Sequence, residues 1–274
     1  MRKVTPVLAA LVLALTACTS GAVSTPESTP TPTLAPPLTD AAQLAAAAQQ
    51  AIAKAKSAKF TSDFGANGQA VQASGLFAFE DGITKYSVHW SQGDSLVIGK
   101  VAYTKIPPEQ AALIAPGKSW SSADPNSPDP MTRALSGPAP TQQVNDPTHA
   151  LARIAKAGRI LSSDQPLLHG VKVNHYRLEI DVAKAPELFP EAERPPIDGK
   201  VDEKPKKAKL PAELWLDADQ LPARIKVGLS GLHDGQANAA FTADYTAWGT
   251  KVELSAPPAD QVMDATELVK KMGR

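Results

Sequence analysis

One cysteine, Cys18, is all that 274 residues contain, which excludes an internal disulfide and any cysteine-cluster metal site. Net charge is lacking too: 28 basic residues balance 28 acidic ones, so no long-range field draws the chain to nucleic acid. Aromatic residues make up only 5% of the chain against 43% hydrophobic residues overall, so much of the apolar content is alanine and small side chains must fill much of the core. No apolar run approaches the ~20 residues of a membrane-spanning helix. No fixed-period repeat is visible. Proline is plentiful instead, at 25 residues with 17 glycines, which argues for many turns and against one long helical assembly.

Arg2 and Lys3 precede a short apolar run over residues 7–15, the pattern of a cleavable signal peptide. Leu15-Thr16-Ala17-Cys18 then resembles the bacterial lipobox, in which the cysteine thiol is diacylglycerylated and becomes the new N-terminus. The expectation is a signal peptide over residues 1–17, a lipidated Cys18, and a chain held on the extracytoplasmic face of the cell membrane. Two acyl chains on one cysteine hold a protein durably where one does not. Residues 19–39 are rich in Thr, Ser, Ala and Pro, with Glu27 the only acidic residue before Asp40. Such a stretch buries no core and, at about 3.1 Å per residue, holds the folded part up to roughly 65 Å from the lipid. It reads as a tether open to O-glycosylation.

From residue 40 onward the pattern is that of one domain, residues 40–274. Asp40 caps an alanine-rich helix running to about Ala58, with Gln43 as its capping-box partner and Leu44, Ala48, Ile52 and Ala55 on one face. From Phe60 the period changes to two. Phe77 and Phe79 share a face; Tyr86, Val88 and Trp90 share another against Ser87, His89 and Ser91; Gly93-Asp94 then turns the chain into a strand over residues 96–101. Residues 106–145 are broken by eight prolines, leaving room for short helices near residues 109–115 and 131–135. Asp146, Pro147, Leu151, Ile154 and Gly158 spell a capped helix. Strands resume with Tyr176, Leu178, Ile180 and Val182, a charged Pro-rich loop spans residues 185–211, and strands occupy 212–216, 223–229 and 239–245. Val252 and Leu254 suggest an edge strand, and Asp264 with Glu267 caps a last helix. The order predicts an α+β fold, a strongly bent antiparallel half-barrel sheet with helices on its concave side.

An alanine-rich helix over a bent sheet leaves space for a hydrophobic ligand, and an apolar cavity is the usual form of such a site. Alternation selects Phe77, Phe79, Tyr86, Val88, Trp90, Leu178, Ile180, Leu214, Leu216, Ile225 and Val227 as its lining. The segment 82–90, Leu214-Trp215-Leu216-Asp217-Ala218-Asp219, Leu221-Pro222-Ala223-Arg224, Tyr245-Thr246-Ala247-Trp248-Gly249 and Pro257-Pro258-Ala259-Asp260 resemble the actinobacterial LppX/LprG-type lipoproteins. That family is similar in fold to the LolA and LolB lipoprotein carriers, a half-barrel closed by helices around an apolar cavity for acyl chains. The resemblance implies a carrier of acylated lipid or lipoglycan across the envelope, with palmitoyl-length chains as cargo, an envelope transporter as candidate partner, and no catalysis, cofactor, metal or nucleic acid. An envelope sensor or protein-interaction module on the same fold is the alternative.

A more remote reading is enzymatic. Gly93-Asp94-Ser95-Leu96 matches the GDSL hydrolase motif, and Asp146-Pro147-Thr148-His149 supplies its later Asp-x-x-His. The scaffold that motif needs is parallel α/β, which the strand pattern does not give. Pro116-Gly117-Lys118-Ser119 lacks the earlier glycine of a phosphate-binding loop, and His89, His149, His169, His175 and His233 show no metal-ligand spacing.

Overall fold

The computed structural model describes residues 33–66, 69–80, 82–91, 93–128, 146–189, 205–230, 232 and 238–272. Cys18, the signal segment, most of the tether and the short helix expected at residues 131–135 lie outside them. The described residues belong to one compact unit, Thr33–Arg274.

Helix α1 (Ala41–Ala55) starts where expected: the Asp40 carboxylate accepts from the Gln43 amide at 2.8 Å. It stops three residues earlier than the alanine run suggests, because Lys56 turns left-handed at φ 67° and its amide bonds back to the Ile52 carbonyl. Ten strands and two helices come next: β1 (Ser57–Ala66), β2 (Gln69–Glu80), β3 (Ile83–Trp90), β4 (Gly93–Ile98), β5 (Val101–Lys105), α2 (Pro108–Ile114), β6 (Trp120–Ala123), α3 (Pro147–Ala157), β7 (Gly158–Asp164), β8 (Leu167–Leu168), β9 (Val171–Lys172) and β10 (Asn174–Asp181). The chain ends with β11 (Lys209–Leu216), β12 (Pro222–Gly228), β13 (Ala240–Thr246), β14 (Val262–Asp264) and α4 (Ala265–Met272).

Twelve strands form one sheet in the order β14-β6-β5-β4-β3-β2-β1-β13-β12-β11-β10-β7, while β8 and β9 make a separate hairpin. The pairing is antiparallel except for β14, which lies parallel to β6. The sheet curves without closing. Register shifts at Arg177/Leu178 and Trp215/Leu216 add to the bend, since an extra residue on one strand kinks it locally. The architecture is thus α+β, an unclosed half-barrel with helices on its concave side.

That side holds the core. Leu44, Ala48 and Ile52 of α1 and Leu151 and Ile154 of α3 are buried in one cluster with Phe60, Tyr176, Leu214 and Ala243 of the strands. A second, small cluster of Ile106, Ala115 and Met263 joins the segments around α2 and β14. Two glycines serve close approach. A Cβ on Gly75 would lie 1.9 Å from the Ser87 carbonyl oxygen and 2.7 Å from the Phe60 ring, and one on Gly158 would lie 2.4 Å from the Ile154 carbonyl oxygen.

Several boundaries differ from the expectation. Gly93 and Asp94 belong to β4, so the turn out of β3 comes just before them, at Ser91, and a further turn at Gly99, where φ is positive, leads into β5. Residues 252 and 254 form no strand; the edge is taken by β14, whose Asp264 accepts from the Thr266 amide at 2.8 Å to start α4. Strands β6 and β7 and the β8–β9 hairpin carry too little apolar alternation to stand out. The cap of α3 is as read: the Asp146 carboxylate accepts from the Thr148 amide at 2.8 Å and from its hydroxyl at 2.6 Å.

Candidate functional site

All eleven residues chosen by alternation face the helix-covered side. On one half, Phe77 pairs with Tyr86, Val88 with Gly75 and Trp90 with Ala73, while Phe79 pairs with Thr84. On the other, Leu214 pairs with Tyr176 and Ile225, Leu178 with Ala212, Ile180 with Leu210, and Val227 with Ala212 and Phe241. Leu216 opposes Asn174. Because side chains alternate strictly along a strand, these registers put all of them on one face.

The two halves are covered unequally. Leu178, Ile180, Leu214, Leu216 and Ile225 are at most 2% exposed, packed beneath α1 and α3. Toward the far end of β1 and β2 the cover thins: Phe64, Ala73 and Trp90 are half-buried, and Val71 is 37% exposed. Phe79 is half-buried at the other end of β2. Phe60, Phe64, Phe241 and Tyr245 share this face and were not among the selected residues, though the alternation of β1 and β13 carries them equally well.

Polar groups are set into the core and its edges. Burial pushes the Tyr86 and Tyr245 hydroxyls well above the usual phenol range, and the nearby Asp146 carboxylate adds to both shifts. The Trp248 indole donates to the Pro222 carbonyl at 2.9 Å while its ring meets Phe77 edge-on at 6.4 Å and Tyr245 at 5.8 Å, so this tryptophan anchors one end of the sheet to its apolar face. Arg153, buried on α3, donates to the Leu188 carbonyl at 3.0 Å and lies over the Phe189 ring at 4.6 Å. The end of the tether is bound as well. The Leu38 amide donates to the Tyr176 hydroxyl at 3.0 Å, and Asn174 donates to the Ala35 carbonyl at 3.1 Å.

The hydrolase motif is dispersed. Ser95 is a buried mid-strand residue paired with Val88 and Thr104, not the exposed tip of a turn, and the Asp94 carboxylate is occupied by His89 at 2.5 Å and Lys105 at 3.0 Å. His149 faces the Asp146 carboxylate at 3.9 Å, and among the described residues no hydrogen bond joins it to Ser95.

No protein-family model matches the chain. No curated protein matches it in sequence. Among solved structures it is similar to the lipoprotein LppX of Mycobacterium tuberculosis, at 10% identity and a TM-score of 0.45 over 78% of this chain and 98% of that one. It is similar to LprF of Mycobacterium bovis at 16% identity and 0.43, over 79% and 96%. A chain of the Pseudomonas aeruginosa MucA/MucB complex matches at 14% identity and 0.35, over 83% and 62%. Among the described residues, no helix is long and apolar enough to cross a membrane.

Proposed function

We propose that this chain is a lipoprotein, anchored through diacylglycerylated Cys18 to the extracytoplasmic face of the cell membrane, that takes the acyl chains of a lipid or lipoglycan onto the concave face of its half-barrel and carries them across the envelope. One observation supports it most: the apolar face continues past the helices that cover it, so that Phe64, Val71, Ala73 and Trp90 lie half-buried or exposed where a core would be closed. An acyl chain laid there completes the burial that the helices begin. At about 0.8 kcal/mol per methylene buried from water, a sixteen-carbon chain regains on the order of 10 kcal/mol on this face, which offsets what it loses on leaving a bilayer when the surface is already formed. The chemistry asked of the protein is binding alone.

The test is native mass spectrometry, with lipid extraction, of a chain beginning at Thr33, which keeps the Ala35 and Leu38 contacts and removes the anchor. A stoichiometric co-purifying lipid is expected. Bare protein that also takes up no added acyl lipid overturns the reading. It would favour the alternative, an interaction module, for which the filled half under α1 and α3 is the supporting feature.

A further inference from the structure

The convex face carries a different pattern. One row of outward side chains runs across the sheet, register by register: Asp164 opposite His175, then Trp215, Arg224, Asp244, Thr61, Ser74, His89 and Asp94. Its two ends are tied off by charge. At one end His175 holds Asp164 at 2.8 Å and Glu213 at 2.9 Å and stacks on Trp215 at 4.2 Å, while Arg224 grips Asp244 through two bonds of 2.6 and 3.0 Å. At the other, Asp94 takes His89 and Lys105. Between these walls the row shrinks to Thr61 and Ser74. The next row, Thr242, Asp63 and Gln72, flanks the gap.

The short residues between tall pairs leave a groove of about 430 Å3. Its lining decides what fits. Among the described residues it includes no lysine or arginine, so phosphates and other anions find no such counter-charge there, and its apolar members are Ala73 and Trp90, whose side chains belong to the concave face, so an acyl chain finds little to bury against. Hydroxyls line it instead, with the Asp63 carboxylate and Gln72 amide side by side, 3.5 Å apart. Among the described residues, the Thr61 and Ser74 hydroxyls have no hydrogen-bond partner. Asp244 is already neutralised by Arg224, which leaves Asp63, among the described residues, as the one carboxylate lining the groove without a cation.

We propose that this groove is a saccharide-binding site, separate from the acyl-chain face on the opposite side of the sheet. A carboxylate accepts from one sugar hydroxyl while an adjacent amide donates to the next, so Asp63 and Gln72 read a vicinal diol, with the Thr61 and Ser74 hydroxyls on the floor and the His89 ring beside them. Strands about 4.8 Å apart set these groups at a spacing suited to one pyranose or furanose ring.

The experiment is saturation-transfer NMR and calorimetry on the full-length protein with neutral probes: mannohexaose, maltoheptaose and arabino-oligosaccharides. Phosphatidylcholine vesicles with and without digalactosyl diacylglycerol separate a free glycan from a glycolipid headgroup as the source. Saturable binding of at least one oligosaccharide or of the galactolipid vesicles is expected. Thr61→Trp, which fills the floor, and the double variant Asp63→Ala/Gln72→Ala should each weaken it at least tenfold; both alter half-buried or exposed side chains, and an unchanged melting temperature confirms the fold. Val71→Asp, on the concave face, should leave it intact, so that failure here is distinguishable from failure of the lipid reading. Absence of any glycan binding, or binding that Thr61→Trp does not alter, overturns the proposal. So does spermidine binding lost in Asp63→Asn without glycan binding, which would make the groove a cation site.

Discussion

The Phe60 ring lies against the backbone of Gly75, its partner across the β1–β2 ladder, closely enough that a methyl group there would meet the ring at 2.7 Å and the Ser87 carbonyl oxygen at 1.9 Å. Gly75→Ala should therefore cost more than about 3 kcal/mol or abolish folding, since neither a buried ring nor a strand carbonyl can move aside. Gly82→Ala, where open space surrounds the missing Cβ, should cost only the roughly 1 kcal/mol of its positive φ. Chemical denaturation of the pair checks both; equal losses would contradict the packing described.

Tyr176→Phe removes the acceptor of the Leu38 amide. The expected loss is about 1 kcal/mol. Its sharper signature is local: amide exchange at Leu38 should speed up by roughly tenfold while the amides of β10 keep their protection. Unchanged exchange at Leu38 would mean that other contacts hold the segment.

Asp146→Ala removes two hydrogen bonds from the first turn of α3 and a carboxylate beside two buried tyrosines. Loss of the cap is expected to destabilise by about 1–2 kcal/mol. The same change should lower the Tyr86 titration midpoint, because a negative charge that opposes phenolate formation is gone; ultraviolet difference spectroscopy against pH reads it.

Acid should loosen the end of the convex face near Glu213. Burial pushes this carboxyl up, but hydrogen bonds from Lys226 and His175 outweigh it and hold the group below the usual carboxylate range. A depressed native value means that its stabilisation is present above the unfolded carboxylate value near 4.5 and fades as pH falls through the native value. Glu213→Gln should flatten the stability–pH curve below about pH 5 and leave its shape unchanged above about pH 6. Asp164 and Arg224 flank the same network, whereas Lys226 and His175 lose a charged partner in the variant.

Lipid uptake has its own variant. Val71→Asp places a charge on the concave face where cover is thin, and co-purifying lipid is expected to fall at least tenfold without loss of melting temperature. Retained lipid would move the binding surface elsewhere.

Alternation made β2, β3 and β10 to β13 legible from sequence, because half-buried strands repeat apolar residues with period two. So were the capped ends of α1 and α3, whose aspartates act within three residues. What escaped depends on partners distant in sequence. β7 has only Ile160 half-buried in a run otherwise exposed after its first residue, so its pairing with β10 is invisible until the sheet is formed. β14 is three residues long and lies parallel to β6, which no local pattern announces. The eleven residues chosen by alternation share one face, but alternation does not say where helices cover that face; only packing distinguishes Leu214 from Trp90. The convex groove was hidden for the same reason, since Thr61 and Ser74 look like ordinary solvent-facing residues until Arg224 and His89 rise on either side.

The pairing of β1 with β13 has a consequence for biogenesis. Ser57 reaches Thr250, 193 positions away, through its hydroxyl, and the first strand finds one of its two neighbours only in the last quarter of the chain. Such long-range pairing makes folding slow and leaves the central strand unsatisfied while synthesis proceeds. A nascent chain of this topology can zip β1 to β6 together early while the other edge of β1 stays open until β13 has been made.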